Sequence, residues 1–117
     1  MSLVDRTRDF SSNIIKLHAD IPAGAIRLKI GDQLLSAGTS PGAHFRESLR
    51  ARSKAEYVAK LNGGLMELEE TLYWLELLIA NRVMPDDRIQ PLRQETTELI
   101  AIFVSLIKKW SPKKQPS

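Results

Sequence analysis

Apolar residues recur along the chain at intervals of three and four, and no β-branched run alternates between turn dipeptides, so the pattern predicts helices and no strands. Over Leu3 to Ile21, the residues Phe10, Ile14, Leu17 and Ile21 fall on one stripe of an amphipathic helix. Pro22 ends it, because a proline disfavours helical geometry at the residue before it. A second helix is expected from about Ala25 through Ile26, Ile30, Leu34, Ala37 and Pro41 to Phe45 and Leu49. Its centre, SAGTSPGA, is made of small residues, and Pro41 removes one backbone hydrogen bond, which predicts a kink.

The clearest boundary is Ser53 followed three residues later by Glu56, a capping box in which each side chain can satisfy the other's free backbone N–H. From there Val58, Leu61, Leu65, Leu68, Leu72, Leu75 and Ile79 step by threes and fours, a heptad-like seam. Asn81 to Pro85 reads as a turn, with Asp86 or Asp87 as cap and as an acidic first turn suited to the helix dipole. The last helix carries Leu92, Thr96, Leu99, Phe103, Leu106 and Trp110 at the same spacing.

Four amphipathic helices with short connections define an all-α, antiparallel up-and-down four-helix bundle with a proline-kinked second helix. Residues 1–110 form the domain, and the tail at 111–117, SPKKQPS, is expected to be flexible and basic. Beside its seam the third helix has a second stripe, Tyr57, Gly64, Thr71, Trp74 and Leu78, and the fourth adds Ile100 and Ile107. A helix apolar around most of its girth is buried on two sides, so these faces are expected to meet other subunits. The alternative is a wide core stripe in a monomer.

A length of 117 residues with 43% hydrophobic content suits one domain with an ordinary core. The absence of cysteine excludes disulfides and thiolate chemistry. MSLVDRTRDF has Asp and Arg where a signal peptide needs an apolar core, and the longest uncharged apolar run, Leu99 to Ile107, is about half a membrane span. A cytoplasmic protein with no membrane contact is expected.

Reactive chemistry is sparse, and neither an enzyme nor a cofactor nor a metal is expected. His18 lies just beside the apolar stripe of the first helix, as a boundary residue. His44 and Glu47, three apart on one helix face, supply two ligands where a metal site commonly needs three or four. Packing or hydrogen bonding between subunits is the better reading of His44. Glu67, Glu69, Glu70 and Glu76 lack an opposed partner for acid–base work, and Glu67 and Glu70 suit pairing with basic groups of a neighbouring helix. Gly38 and Gly42 fit close helix packing, since neither a lysine in Walker spacing nor a preceding strand accompanies them.

The net charge of +3 is small, but it is unevenly placed. Residues 1–53 hold eight basic and five acidic side chains, whereas 54–80 hold two and five. Arg46, Arg50, Arg52 and Lys54 form one cluster, and Lys108, Lys109, Lys113 and Lys114 form another. Such clusters suit phosphates of RNA or DNA, and repetition in an oligomer would multiply weak contacts. No aromatic residues interleave with them for base stacking. Ordinary solvated arginines and lysines are the alternative.

Two stretches carry a resemblance. They are QLLSAGTSPGAHFRESLRARSKAEYVAKL, Gln33 to Leu61, and ELEETLYWLELL, Glu67 to Leu78. Gly38, Thr39, Ser40, Gly42 and Ala43, then Arg46–Glu47, then Arg52–Ser53–Lys54, then Glu67, Glu70, Thr71, Tyr73, Trp74, Leu75 and Glu76 follow one pattern. The chain thereby resembles the bacterial four-helix bundle proteins known from intervening sequences of 23S ribosomal RNA genes. It departs from that pattern at Pro41, where an aliphatic residue is common, and at His44, where Asn is usual. The resemblance implies a homopentamer. It also brings in an accessory protein of diversity-generating retroelements that binds nucleic acid and a reverse transcriptase, while the molecular function of most members is not established. The expectation is a non-enzymatic oligomeric protein contacting RNA or DNA through phosphates. The alternative is a scaffold or accessory subunit that docks a protein partner and binds no nucleic acid.

Overall fold

A computed structural model describes residues 1–110, and these form a four-helix bundle without a strand among them. Helix α1 spans Leu3–Asp20, α2 Asp32–Gly38, α3 Pro41–Ser48, α4 Lys54–Ala80 and α5 Asp86–Trp110. A π-helical turn, Arg27–Gly31, leads directly into α2, and α2 and α3 together make the second, bent helix of the bundle. Neighbouring helices run antiparallel: Arg6 faces Glu95 and Glu98 while Asp20 faces Arg88, and Gly38 meets Ile14 while Gly42 meets Thr7.

Side-chain caps set the helix starts. Ser2 Oγ accepts from Asp5 N–H at 3.1 Å, and Ser53 Oγ accepts from Glu56 N–H at 3.1 Å, which is the serine half of the expected capping box without the return bond from Glu56. Asp86 and Asp87 lie inside the first turn of α5, where carboxylates suit the dipole, instead of capping from outside it. Helix α4 ends in a Schellman motif: Val83 N–H donates to Leu78 O and Arg82 N–H to Ile79 O, with Arg82 left-handed at φ 52°.

The expected kink at Pro41 is a bend with a repaired backbone. Pro41 has no N–H to give Ala37 O, so Ser40 N–H reaches back three residues to that carbonyl at 3.4 Å. Ser36 O, which Ser40 N–H would serve in a regular helix, accepts the Ser40 hydroxyl at 2.7 Å instead. Thr39 Oγ1 donates to Leu35 O at 2.7 Å beside the backbone bond that Thr39 N–H already makes there. The Ser40 hydroxyl therefore replaces the one backbone bond that the bend displaces.

The core joins Phe10, Ile14, Leu17 and Ile21 of the first segment to Leu34, Phe45, Leu61, Leu68, Leu75 and Leu78, and to Ile89, Leu92, Leu99 and Phe103 of α5. Along α4 the buried column is Leu61, Gly64, Leu68, Thr71, Leu75 and Leu78. Three of the expected seam residues are there, but their buried companions are Gly64, Thr71 and Leu78, while Val58, Leu65, Leu72 and Ile79 are half-buried. Thr71 tolerates this site because its hydroxyl donates to Glu67 O at 2.7 Å, and buried Thr7 and Thr96 donate to Leu3 O and Leu92 O in the same way. Outside the core, Arg6 clamps Glu95 with two nitrogens at 2.8 and 2.6 Å and reaches Glu98 at 2.9 Å, fastening α1 to α5.

Close approach of helices depends on glycine at two contacts. A Cβ at Gly38 would stand 2.7 Å from Ile14 Cγ1 and 3.1 Å from its Cβ, and one at Gly64 would stand 2.6 Å from the Phe103 ring. Ile14 is branched next to its backbone and cannot swing away. Gly38→Ala gains at most about 1 kcal/mol of helix propensity, against an overpacking cost of about 1–3 kcal/mol that α1 must absorb by shifting. Chemical denaturation is expected to give a net loss of stability for Gly38→Ala, and an unchanged or raised midpoint would contradict this account of the α1–α2 contact.

Candidate nucleic-acid interface

Among the described residues, Lys108 and Lys109 of the second basic cluster lie at the same end of the bundle as the first. Because α4 and α5 are antiparallel, the first turn of α4 lies beside the last turn of α5, and Tyr57 packs edge-on against Trp110 with ring centroids 6.2 Å apart. Lys54 Nζ lies 5.4 Å and Lys109 Nζ 5.6 Å from the Trp110 ring centre, both in cation–π range. Arg50 and Arg52, exposed in the connection between α3 and α4, reach the same end, as does Lys108. Arg46 is exposed in the last turn of α3, nearly one turn before Arg50. Lys113 and Lys114 lie outside the described residues.

These groups are electrostatically uncommitted. Among the described residues, Arg6, Arg8, Lys60, Arg88 and Arg93 pair with carboxylates, while Arg46, Arg50, Arg52, Lys54, Lys108 and Lys109 do not. Arg46, Lys108 and Lys109 sit in the last turns of their helices, where positive charge offsets the dipole by about 0.3–1 kcal/mol each. That gain needs no ligand, yet it leaves the N–H donors turned to solvent. Contrary to the expectation of no interleaved aromatics, Trp110 stands among these bases, 38% exposed. The sequence does carry a sign of it, since Trp110 directly follows Lys108 and Lys109. Its neighbourhood with Lys54 emerges only from the α4–α5 register.

The stripe expected to face other subunits divides. Gly64, Thr71 and Leu78 are buried inside the chain, with Gly64 facing Phe103 of α5 and His44 of α3. Tyr57 and Trp74 are half-buried. What α4 presents outward is Met66 and Tyr73, 67% and 56% exposed and one heptad apart. With Trp74, which meets the Tyr73 ring edge-on at 5.1 Å, they line a groove of about 650 Å³ rimmed by Glu67, Glu69 and Glu70.

Other titratable groups are mostly tied to helix packing. His18 Nε2 lies 3.1 Å from Asp32 Oδ1 and bridges α1 to α2. His44 packs on the bare backbone of Gly63, where a Cβ would come within 2.8 Å of the imidazole. Its Nδ1 is buried without a hydrogen-bond partner, 3.8 Å from Glu47 Oε1. Among the described residues no three His, Asp or Glu side chains converge to hold a metal. Glu76 meets Arg93 of α5 at 3.6 Å, but Glu67 and Glu70 pair with no basic group among the described residues. A larger groove of about 840 Å³ between α1 and α5 has Phe10 and Leu92 in its lining, and its guanidinium groups are engaged, Arg6 with Glu95 and Glu98 and Arg88 with Asp20. No helix among the described residues is long and apolar enough to cross a membrane.

An antiparallel helical bundle with a broken second helix and a basic end defines the class. The chain matches the family described as 23S rRNA-intervening sequence protein over residues 1–105, and it belongs to that family. A crystal structure of a protein with unknown function from the S23 ribosomal protein family of Bacteroides thetaiotaomicron VPI-5482 is similar to it at 32% identity. The likeness covers 92% of this chain and 99% of that one, with a TM-score of 0.83. No curated protein matches the chain.

Burial raises the Glu67 carboxyl above its ordinary value of 4.5, and the charge of Glu70 pushes the same way, while His44 partly opposes both. A raised carboxylate is a penalty on the folded state that is fully present above the folded value and absent below 4.5. Glu67→Gln is therefore expected to raise the thermal midpoint at pH 7, and the advantage should shrink as pH falls toward 4.5. Melting curves of both proteins across that range test this, and a difference independent of pH would contradict it.

Proposed function

We propose that this chain is a non-enzymatic, oligomeric binding protein that contacts RNA or DNA through phosphates, without reading sequence. The observation that carries the reading is the gathering of Arg50, Arg52, Lys54, Lys108 and Lys109 at one end of the bundle, none of them paired with a carboxylate among the described residues. Arginine and lysine at helix ends and in a connecting loop suit a phosphate backbone, whose neutralisation releases counterions. Assembly would repeat the patch, so that weak contacts act together. The outward Met66 and Tyr73, with half-buried Trp74, give an apolar surface suited to packing a second copy.

The same groove supports a second reading. An aromatic floor with a rim of Glu67, Glu69 and Glu70 suits a basic segment of a partner protein, as a scaffold or accessory subunit would require. A pull-down that recovers a defined protein through this groove, and no nucleic acid, would favour it over the first.

Two measurements test the leading proposal. Light scattering after size exclusion is expected to give an oligomer at micromolar concentration, and a monomer would remove the assembly from it. Retention of RNA or DNA at low salt is expected to fall with a slope of log affinity against log salt of about −0.7 per phosphate contact for a single strand. Arg50→Ala or Lys108→Ala should each flatten that slope by about one contact. No retention of either nucleic acid at low salt would overturn nucleic-acid binding.

A further inference from the structure

We propose that Trp110 is a base-stacking platform, so that the basic end of the bundle takes single-stranded nucleic acid in preference to duplex. The proposal rests on the phosphate-binding reading above and adds to it a ligand class and a residue. Trp110 closes α5 with 38% of its surface exposed, held edge-on by Tyr57 at 6.2 Å and approached by Lys54 and Lys109 at 5.4 and 5.6 Å. The Tyr57 contact orients the ring before any ligand arrives, so little side-chain freedom remains to be lost on stacking.

Energetics decide what the ring prefers. An exposed cation–π contact is weak, whereas stacking of a base on an aromatic side chain is several-fold to more than a hundredfold in affinity. A base that takes the ring face displaces an ammonium group by a short distance, and that group is then placed for the adjoining phosphate. Both partners improve: the indole exchanges a hydrated cation for a π-face, and the lysine exchanges a quadrupole for a full negative charge. Arg50, Arg52 and Lys108 at the same end continue the positive surface along which a strand can run. A duplex offers this site only phosphates, because its base faces are already stacked on one another, whereas every base of a single strand is available.

The chain has two tryptophans, so the Trp110 signal is read as the difference between the full-length protein and Trp110→Phe, which keeps Trp74 alone. Both are titrated at low salt with oligo(dT), with a duplex of equal length and with thymidine monophosphate. Expected are quenching of Trp110 fluorescence by oligo(dT), little quenching by the duplex, and tighter binding of the single strand by about tenfold. Trp110→Ala should lose about that factor for oligo(dT) and leave the duplex nearly unchanged, with Trp110→Phe between. Equal affinity for both forms with no quenching overturns the stacking proposal and leaves phosphate binding standing. Quenching by the monophosphate as strong as by the oligonucleotide overturns it in favour of a mononucleotide site. No retention of any of the three overturns both readings. If Trp110→Ala does not fold, the quenching measured with Trp110 in place still decides the matter.

Discussion

The antiparallel contact of α4 with α5 is the constraint on which the rest of the molecule depends. Leu61, Leu68, Leu75 and Leu78 of one helix, and Ile89, Leu92, Leu99 and Phe103 of the other, are buried in the shared core. Each such side chain contributes about 1.5–3 kcal/mol of transfer free energy. Gly64 sets how near the two axes come, because the Phe103 ring occupies the space of a missing Cβ. The register that follows places Tyr57 on Trp110 and brings Lys54 to Lys109. The remaining helices are dressed on this pair: His44 of α3 lies over Gly63, Phe45 meets Phe103 at 6.1 Å, and Arg6 ties α1 to α5.

Much of this architecture is legible in the order of residues, and the misses have a physical pattern. The Ser53 cap, the spans of α1 and α4 and the bend at Pro41 follow from local chemistry, which acts within a few residues. The inward column of α4 does not. From Leu61, Leu68 and Leu75 a helix offers a companion column three residues on or four residues on, and Leu65 and Leu72 weight the choice toward the latter. Distance between axes decides otherwise: at Gly64 the Phe103 ring of α5 comes so close that no larger side chain fits, and the buried Thr71 hydroxyl is satisfied by its own helix. Of the candidate interface, the two basic clusters are visible as composition, but the meeting of Lys54 and Lys109 around Trp110 joins residues more than fifty positions apart. No local pattern encodes such a contact.

Charge in this protein is better described by location than by its sum. Among the described residues, Arg46, Arg50, Arg52, Lys54, Lys108 and Lys109 meet no carboxylate, while Arg6, Arg88 and Arg93 are engaged in holding helices together. Acidic side chains gather on the outward face of α4, where Glu67 and Glu70 stand close enough for one to raise the other. The small net charge is therefore the difference between two surfaces of opposite sign, separated along the length of a molecule 52 Å in its longest dimension.

The repaired bend between α2 and α3 also shapes how order is distributed in the molecule. Seven- and eight-residue helices are far below the length at which a helix persists by itself in water, so each exists only because its neighbours hold it. Helix α4 carries a hydrogen-bonded ladder over 27 residues, and α5 spans 25 with one bond missing where Pro91 has no N–H to give. Arg46 thus rides on a short helix held by its neighbours, Arg50 and Arg52 on the loop that follows it, and Lys54 and Lys109 on the end turns of the two long helices. The basic end is therefore assembled from elements of unequal support, a short packed helix and its loop beside the terminal turns of two long helices.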